Sequence, residues 1–284
     1  MKCYLCESTE FERVQKGVRD NSTINVIKCC KCGLTTLDNF NQITDKFYEE
    51  SGMHQEKIKI DDWLKITSKD DQRRVDTLKK YITNKRVLDF GAGNCGFINL
   101  AKPYTNKIAG IELENQFKKY FKKKNLEIFD SIDDLKNKTV QKFDLITAFH
   151  VFEHLKDPKY VLQKLTELLE KDGQIIIEVP NSDDALLSLY KSEKFAKFTY
   201  WSQHLFLFNE ATAKKLVEKS RLKLNWIKQI QRYPLANHLH WLSKYEPGGH
   251  EKWSFLSKKT NESYSLDLAK LKKCDTIIFS VSLN

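Results

Sequence analysis

The sequence predicts an α/β fold with a mostly parallel sheet, preceded by a small cysteine-rich module. Short apolar runs alternate with helical segments from about residue 84 onward, the pattern of parallel strands covered on both faces. The first of these runs ends in a glycine-spaced turn, and the last alternates apolar and polar residues like an antiparallel strand. We therefore expect a module over residues 1–50, a helical linker over 51–83 and an α/β domain over 84–284.

Composition limits the classes of protein to consider. The chain has 284 residues, a hydrophobic fraction of 40% and a net charge of +10, from 48 Lys and Arg against 38 Asp and Glu. That excess suits an anionic partner, although a solvated lysine-rich surface explains it equally well. The start resembles no signal peptide, and no run of 18 apolar residues predicts a membrane span. Seven cysteines, an odd number, favour a reducing cytoplasm.

Two cysteine pairs, Cys3 with Cys6 and Cys29 with Cys32, have the spacing of a zinc site. Two thiolates separated by two residues hold one side of a tetrahedral ion, and the second pair completes it. The intervening residues suit a β-hairpin that turns near Asp20. Four cysteine ligands leave no open position, so the predicted zinc is structural. Four unconnected buried cysteines are the alternative, and Cys30 could replace a neighbouring ligand.

The charge of the module argues against a nucleic-acid clamp. Residues 1–50 contain seven Lys and Arg and eight Asp and Glu, a balance of −1. Modules that bind phosphates are normally basic. A fold cap or a substrate lid is the better interpretation.

Beyond the module, a helix is predicted from Asp61 to Ile82, and its Trp63 could cover an active site or simply pack. Asn209 and Thr212 mark the start of a later helix. Further helices are expected over 114–124 and 159–170. The runs predicted to be strands are 87–90, 108–111, 126–129, 143–149, 174–179 and 276–282.

The turn after the first strand of the α/β domain carries Asp89, Gly91 and Gly93. Glycines let a backbone approach a ligand closely, and the following helix presents unpaired N–H groups. Glu112 ends the next strand about 20 residues later, where an acidic side chain accepts hydrogen bonds from ribose hydroxyls. Nicotinamide enzymes use the same arrangement, and a surface glutamate is the plainer alternative.

Four ordered motifs, at residues 87–93, 110–112, 143–144 and 151–158, resemble those of class I S-adenosylmethionine-dependent methyltransferases. The resemblance implies a Rossmann-like sheet, mostly parallel with the last strand antiparallel. It also implies that S-adenosylmethionine is the cofactor. The cofactor-binding residues implied are Asp89, Gly91 and Gly93 for its amino-acid part, Glu112 for the ribose, Phe149 for adenine packing and Asp130 for the adenine amine.

The cysteine module together with the segment from Tyr200 to His204 is similar to the zinc-bearing sugar C-methyltransferases, which act on nucleotide-linked deoxysugars. That similarity places His204 near the acceptor. The later His-Gly-Gly-Ser segment of that group is not reproduced, since this chain has Pro247-Gly-Gly-His250. The base of that group therefore does not carry over.

Methyl transfer from a sulfonium needs positioning above all, and a base only where the acceptor must lose a proton. Histidine is the natural base at neutral pH. His150 and His154 follow the fourth strand, and His204 is expected to face them, so these three are the catalytic candidates. A packed, hydrogen-bonded histidine is the alternative for each.

These observations predict a cytoplasmic S-adenosylmethionine-dependent methyltransferase with a structural zinc ion. The expected acceptor is a small molecule, such as a nucleotide sugar or a precursor of a glycan or natural product. An RNA methyltransferase is the first alternative, disfavoured by the near-neutral module and the absence of an arginine-rich stripe. A non-catalytic protein that binds adenosylmethionine, or interacts through zinc, is the second.

Overall fold

A computed structural model describes residues 1–44, 47, 58–253 and 255–284. The predicted module boundary at residue 50 lies outside the described residues. The chain divides into two compact units, each built from discontinuous segments. Unit 1 comprises Met1–Gln42, Phe152–Pro158 and Glu178–Phe279, and unit 2 comprises Ile43–Val151, Lys159–Ile177 and Ser280–Asn284.

Eleven strands and eleven α-helices are found among the described residues, with three short 3₁₀ turns. The strands are β1 (Phe11–Gln15), β2 (Val26–Cys29), β3 (Thr35–Leu37), β4 (Arg86–Phe90), β5 (Lys107–Ile111), β6 (Ile128–Phe129), β7 (Phe143–Phe149), β8 (Leu169–Pro180), β9 (Phe206–Leu207), β10 (Lys223–Ile230) and β11 (Thr276–Ser282). The helices are α1 (Ile60–Ile82), α2 (Gly96–Ala101), α3 (Lys118–Lys123), α4 (Ile132–Lys138), α5 (Pro158–Thr166), α6 (Ala185–Ser188), α7 (Glu193–Thr199), α8 (Glu210–Lys219), α9 (Leu235–Lys244), α10 (Gly249–Lys252) and α11 (Lys258–Leu271).

Seven strands form the central sheet, in the order β10-β11-β8-β7-β4-β5-β6. Strand β4 pairs in parallel with β5 and with β7, and β5 pairs in parallel with β6. The last strand of the chain, β11, is antiparallel. This is the mostly parallel, Rossmann-like sheet with an antiparallel last strand that the sequence predicted. The carboxyl ends of β4 and β5 meet at one edge of it.

The alternation in β11 does not reflect a solvent-facing side. Its residues from Thr276 to Val281 are all buried, because the strand lies inside the sheet between β8 and β10. Its polar residues are satisfied internally, as where Ser280 Oγ donates to Gln174 Oε1 at 2.6 Å. The alternating pattern therefore predicted the strand correctly, but it does not show that one side of the strand is exposed to solvent.

Unit 1 holds a four-stranded sheet in the order β1-β2-β3-β9. Strands β1 and β2 form the hairpin that the sequence predicted, with antiparallel pairing of Phe11 to Cys29. Asn209 caps α8 in a capping box with Thr212, which confirms the predicted helix start. Strand β9 pairs antiparallel with β3, so residues around 206 extend the N-terminal sheet.

In unit 2, helix α1 has its acidic residues in the first turn and Lys79 in the last, which suits the helix dipole. Val75, Leu78 and Ile82 recur at helical spacing and are buried.

Two helices depart from their predicted bounds. Residues 115–117 form a 3₁₀ turn ahead of α3, and α5 stops at Thr166 because buried Leu169 already belongs to the long strand β8.

None of the helices in the described part of the chain has the length and apolar character needed to cross a bilayer.

Candidate functional site

The glycine loop leaves β4 through backbone conformations that favour glycine. Gly91 has φ +75° and Gly93 has φ +53°, both in the left-handed region. A side chain at Gly91 would also overlap Val151, and one at Gly93 would lie 3.3 Å from the Trp63 ring. The loop is thus a cradle that side chains would fill, which fits the close approach of a ligand.

Glu112, at the end of β5, contacts this loop directly. The Gly93 N–H donates to Glu112 Oε2 at 2.6 Å, and the Glu114 N–H donates to Oε1 at 2.9 Å. Burial raises the pKa of the Glu112 carboxyl, while these backbone donors oppose the rise. Since a carboxylate oxygen has two acceptor sites, each oxygen can accept a further bond from a ligand hydroxyl.

Asp89, the last but one residue of β4, is 3% exposed. It accepts a hydrogen bond of 2.7 Å from Thr147 Oγ1 on β7. Burial raises the pKa of Asp89 to about 7, and the nearby Arg74 charge opposes that rise. With a pKa of about 7, this carboxyl is only partly ionised at neutral pH.

Helix α1 holds the loop through polar residues that were predicted from the sequence only as part of a helical linker. Asn94 Nδ2 donates to Thr67 Oγ1 at 2.9 Å, and the Asn94 side chain accepts from the Gly96 N–H at 2.9 Å. Thr67 Oγ1 in turn donates to Asp71 Oδ2 at 2.7 Å, and Asp71 pairs with Arg74 at 3.2 Å. Polar residues recurring at helical spacing on α1 were the available signal.

The two residues implied for adenine have different surroundings. Phe149 is buried, with its ring centroid 4.9 Å from that of Phe97 and the Arg74 guanidinium 4.7 Å from it. Asp130 follows β6, is exposed and pairs with Lys118 at 2.7 Å. Phe149 therefore sits inside the packed region near α1, whereas Asp130 lies on the surface.

The four predicted metal ligands lie together in unit 1. The sulfur atoms of Cys3, Cys6, Cys29 and Cys32 are all within 4.8 Å of one another. Cys3 and Cys32 are 3.5 Å apart at Sγ, as are Cys6 and Cys29. Four sulfurs at about 2.3 Å from a tetrahedral ion are about 3.8 Å apart, so the cluster fits zinc. Cys30 is exposed and outside the cluster.

The N-terminal sheet of unit 1 also holds the segment that carries His204. Thr36 Oγ1 donates to the Leu205 carbonyl at 2.7 Å, next to the β3–β9 pairing. Ser202 donates to Asp20 through its backbone N–H at 2.9 Å and its hydroxyl at 2.6 Å. The segment 202–207 is thus fixed from both ends by the first 40 residues.

Two of the three catalytic candidates are neighbours in unit 1. The rings of His154 and His204 have centroids 5.1 Å apart, tilted by 60°. Glu153, His154 and His204 offer ligand atoms that all lie within 4.8 Å of one another. His150 belongs to unit 2 and has φ +55°, an uncommon conformation for a non-glycine residue. Glu153 was not among the catalytic candidates predicted from the sequence.

The comparisons with known proteins agree with this fold. A family model described as a methyltransferase domain matches residues 67–224, which is more than half of the chain. The chain is 27% identical over 177 residues to an uncharacterised protein of Methanocaldococcus jannaschii, covering 62% of this chain and 77% of that one. It is 24% identical over 171 residues to the ubiquinone biosynthesis O-methyltransferase of Hydrogenovibrio crunogenus, covering 56% and 66%. It is 27% identical to an uncharacterised methyltransferase of Schizosaccharomyces pombe, covering 45% and 50%.

Solved structures show the same fold at low identity. A SAM-dependent methyltransferase from Archaeoglobus fulgidus superposes with a TM-score of 0.50 at 18% identity, covering 77% of this chain and 93% of that one. One from Thermotoga maritima has a TM-score of 0.50 at 16% identity, covering 79% and 94%.

Proposed function

Because the chain belongs to the methyltransferase-domain family, and is an S-adenosylmethionine-dependent methyltransferase, we propose that its acceptor is a small molecule. A nucleotide-linked sugar or a precursor of a glycan or natural product is the candidate acceptor. The proposal is supported by one named relative, the ubiquinone biosynthesis O-methyltransferase of Hydrogenovibrio crunogenus. The charge balance of −1 over residues 1–50 also supports it.

The cofactor is proposed to lie on the glycine loop. Asp89, Gly91 and Gly93 would hold its amino-acid part, and Glu112 its ribose hydroxyls. Phe149 and Asp130 would bind its adenine. The observation that carries this assignment is the 2.6 Å hydrogen bond from the Gly93 N–H to Glu112, since it joins the loop to the ribose acceptor. S-adenosylmethionine supplies the methyl group as an electrophile, and these residues bind and orient it.

The cysteine cluster is proposed to hold a structural zinc ion through Cys3, Cys6, Cys29 and Cys32. Its purpose would be to fix the N-terminal sheet, whose strand β3 pairs with β9. Because β9 follows His204 by two residues, the zinc ion would act on the acceptor side indirectly, through the position of that histidine.

The acceptor side is assigned to His204 and His154, with His150 as a third candidate. Two imidazoles at 5.1 Å can serve as hydrogen-bond acceptors or as a base for an acceptor that loses a proton. Cytoplasmic location stays a prediction from cysteine usage.

A screen for S-adenosylhomocysteine release tests the proposal. The purified protein is incubated with S-adenosylmethionine and a panel of nucleotide sugars, phenolic small molecules and RNA, and product is measured by mass spectrometry. Release that depends on a small molecule supports the proposal. Release with RNA alone, together with binding that weakens steeply as salt rises, would overturn the small-molecule assignment. Binding of S-adenosylhomocysteine without any transfer would favour a non-catalytic role.

A further inference from the structure

A second cluster of metal-ligating side chains lies apart from the four cysteines. It consists of Glu153 and His154, which are adjacent on the 3₁₀ turn Phe152–His154, and His204 from the segment before β9. Glu153 is 1% exposed and His154 is 6% exposed. All three belong to unit 1, so the cluster is described within one compact unit.

The protonation of His154 follows from its neighbour. His154 Nδ1 lies 2.8 Å from the Gln203 carbonyl oxygen, which can only accept a hydrogen bond. Nδ1 therefore carries the hydrogen, and in the neutral ring Nε2 carries the lone pair with which the ring can coordinate a metal ion. A backbone carbonyl that accepts from one ring nitrogen, while the other nitrogen binds, is the usual support of a metal-bound histidine.

The position of His204 is restrained as well. Its backbone N–H donates to the Trp201 carbonyl at 3.0 Å, and its ring contacts the Trp201 ring at 6.1 Å between centroids. Gln42 Nε2 donates to the neighbouring Ser202 carbonyl at 2.6 Å. The third donor of the cluster is therefore carried by a segment whose backbone is held in place, as a preorganised site needs.

We propose that Glu153, His154 and His204 bind a divalent first-row transition-metal ion. One carboxylate and two imidazoles form a donor set typical of zinc and non-haem iron sites that keep coordination positions open. Two ligands on one tetrahedral ion are about 3.5 Å apart when each bond is about 2.1 Å. Donor atoms within 4.8 Å of one another therefore need only small side-chain rotations to reach an ion.

An open position on this ion would take an oxygen ligand. A bound hydroxyl has a lowered pKa because the cation stabilises its anion, so an oxygen acceptor would be activated without a free histidine base. This last step rests on the proposed methyltransferase function, whereas the metal site itself does not. The acceptor class that it favours carries a hydroxyl group able to bind a metal.

Cobalt(II) is the probe that separates this site from the cysteine cluster. Zinc-bound protein is dialysed against Co²⁺, and bound cobalt is measured by mass spectrometry and by visible absorption. We expect one cobalt per chain with ligand-field bands and no thiolate-to-metal charge transfer. His204→Gln and Glu153→Gln should each weaken cobalt binding at least tenfold, while His250→Gln, a histidine outside the cluster, should not change it.

Thermal unfolding and S-adenosylhomocysteine calorimetry on each variant keep the result interpretable. Since His204 is only half-buried, His204→Gln is the informative variant if Glu153→Gln fails to fold. No bound cobalt in folded protein, cobalt seen only with thiolate charge transfer, or unchanged binding in His204→Gln would each overturn the site. Intact cofactor binding alongside such a result would leave the methyltransferase assignment standing, so the two failures are distinguishable.

Discussion

The backbone N–H of Gly93 donates a 2.6 Å hydrogen bond to Glu112 Oε2, joining the loop after β4 to the end of β5. The two residues are far apart in sequence but adjacent in space because β4 and β5 are parallel neighbours. Parallel strands bring their carboxyl ends to one edge of the sheet, where open α/β folds bind ligands. The edge at which Gly93 meets Glu112 is therefore where the cofactor is proposed to bind.

Glu112→Gln should weaken binding of S-adenosylhomocysteine about 10- to 100-fold, because hydrogen bonds to a charged group contribute about 1.5–3 kcal/mol. Isothermal calorimetry measures the change. Glu127→Gln is the matched control, because Glu127 forms only a solvent-exposed ion pair with Lys107, with 3.0 Å between Oε1 and Nζ. Equal affinity in the wild type and Glu112→Gln would refute the ribose assignment.

Gly91→Ala should destabilise the fold by about 1–3 kcal/mol, since the new methyl group overlaps Val151 and φ is +75°. Chemical denaturation measures the loss. Gly248→Ala is the control for backbone strain alone, because φ is +100° there and the new methyl group would lie no nearer than 3.8 Å to its neighbour Lys252. Combining Gly91→Ala with Val151→Ala should cost less than the two single changes added together. Strict additivity would argue against the overlap.

Cys29→Ser should remove the zinc ion that the cysteine cluster is expected to bind, a loss of one equivalent per chain. A ligand lost from a four-thiolate site leaves it incomplete, and the N-terminal sheet should melt at a lower temperature. Cys30→Ser is the matched control, because Cys30 is adjacent in sequence but exposed and outside the cluster. Metal content is read by mass spectrometry. Zinc retained in full by Cys29→Ser would show that the ligand set is wrong.

Asp184 predicts a pH dependence of stability. It is 5% exposed and caps α6 by accepting from the Leu186 N–H at 2.7 Å, and burial raises its pKa to about 8. A carboxyl with a raised pKa in the folded state favours folding below its unfolded pKa, near 4. That contribution is lost as pH rises from about 4 to about 8, because only the unfolded state then releases the proton.

Asp184→Asn keeps the capping oxygen and removes the titration. One pKa unit corresponds to about 1.4 kcal/mol. The free energy of unfolding of the variant, relative to that of the wild type, should therefore be at least about 1 kcal/mol higher at pH 8 than at pH 5. Denaturant unfolding at both pH values measures this difference. If the free energies of unfolding of the wild type and the variant differ by the same amount at pH 5 and at pH 8, the raised pKa of Asp184 is contradicted.

Local sequence was sufficient for the sheet and for the two cysteine pairs, whose sulfur atoms lie together. The strand β7 was predicted at residues 143–149, where it lies, and the capping box of Asn209 and Thr212 marked the start of α8. These features depend on apolar periodicity and on hydrogen bonds within a few residues, which adjacent amino acids decide. The bounds of α5 were not predictable in this way, since Leu169 joined a long strand whose pairing is tertiary.

The polar support of the glycine loop required the folded chain. Thr67 contacts Asn94 across 27 residues of sequence, and neither residue belongs to a recognisable motif. Their spacing on α1 and in the loop has meaning only once the helix packs beside that loop. A helical pattern alone predicts which residues share one side of a helix, but it does not predict which other segment packs against that side.

What the sequence by itself determined is the family, the glycine loop with Glu112, and the four-cysteine spacing, because each is a short pattern with a fixed chemical requirement. Only the tertiary structure brought Glu153 and His154 to His204, about 50 residues away, and paired β3 with β9 beside that histidine. Long-range proximity depends on how strands pair and turns pack, and the spacing of residues along one chain does not encode it locally.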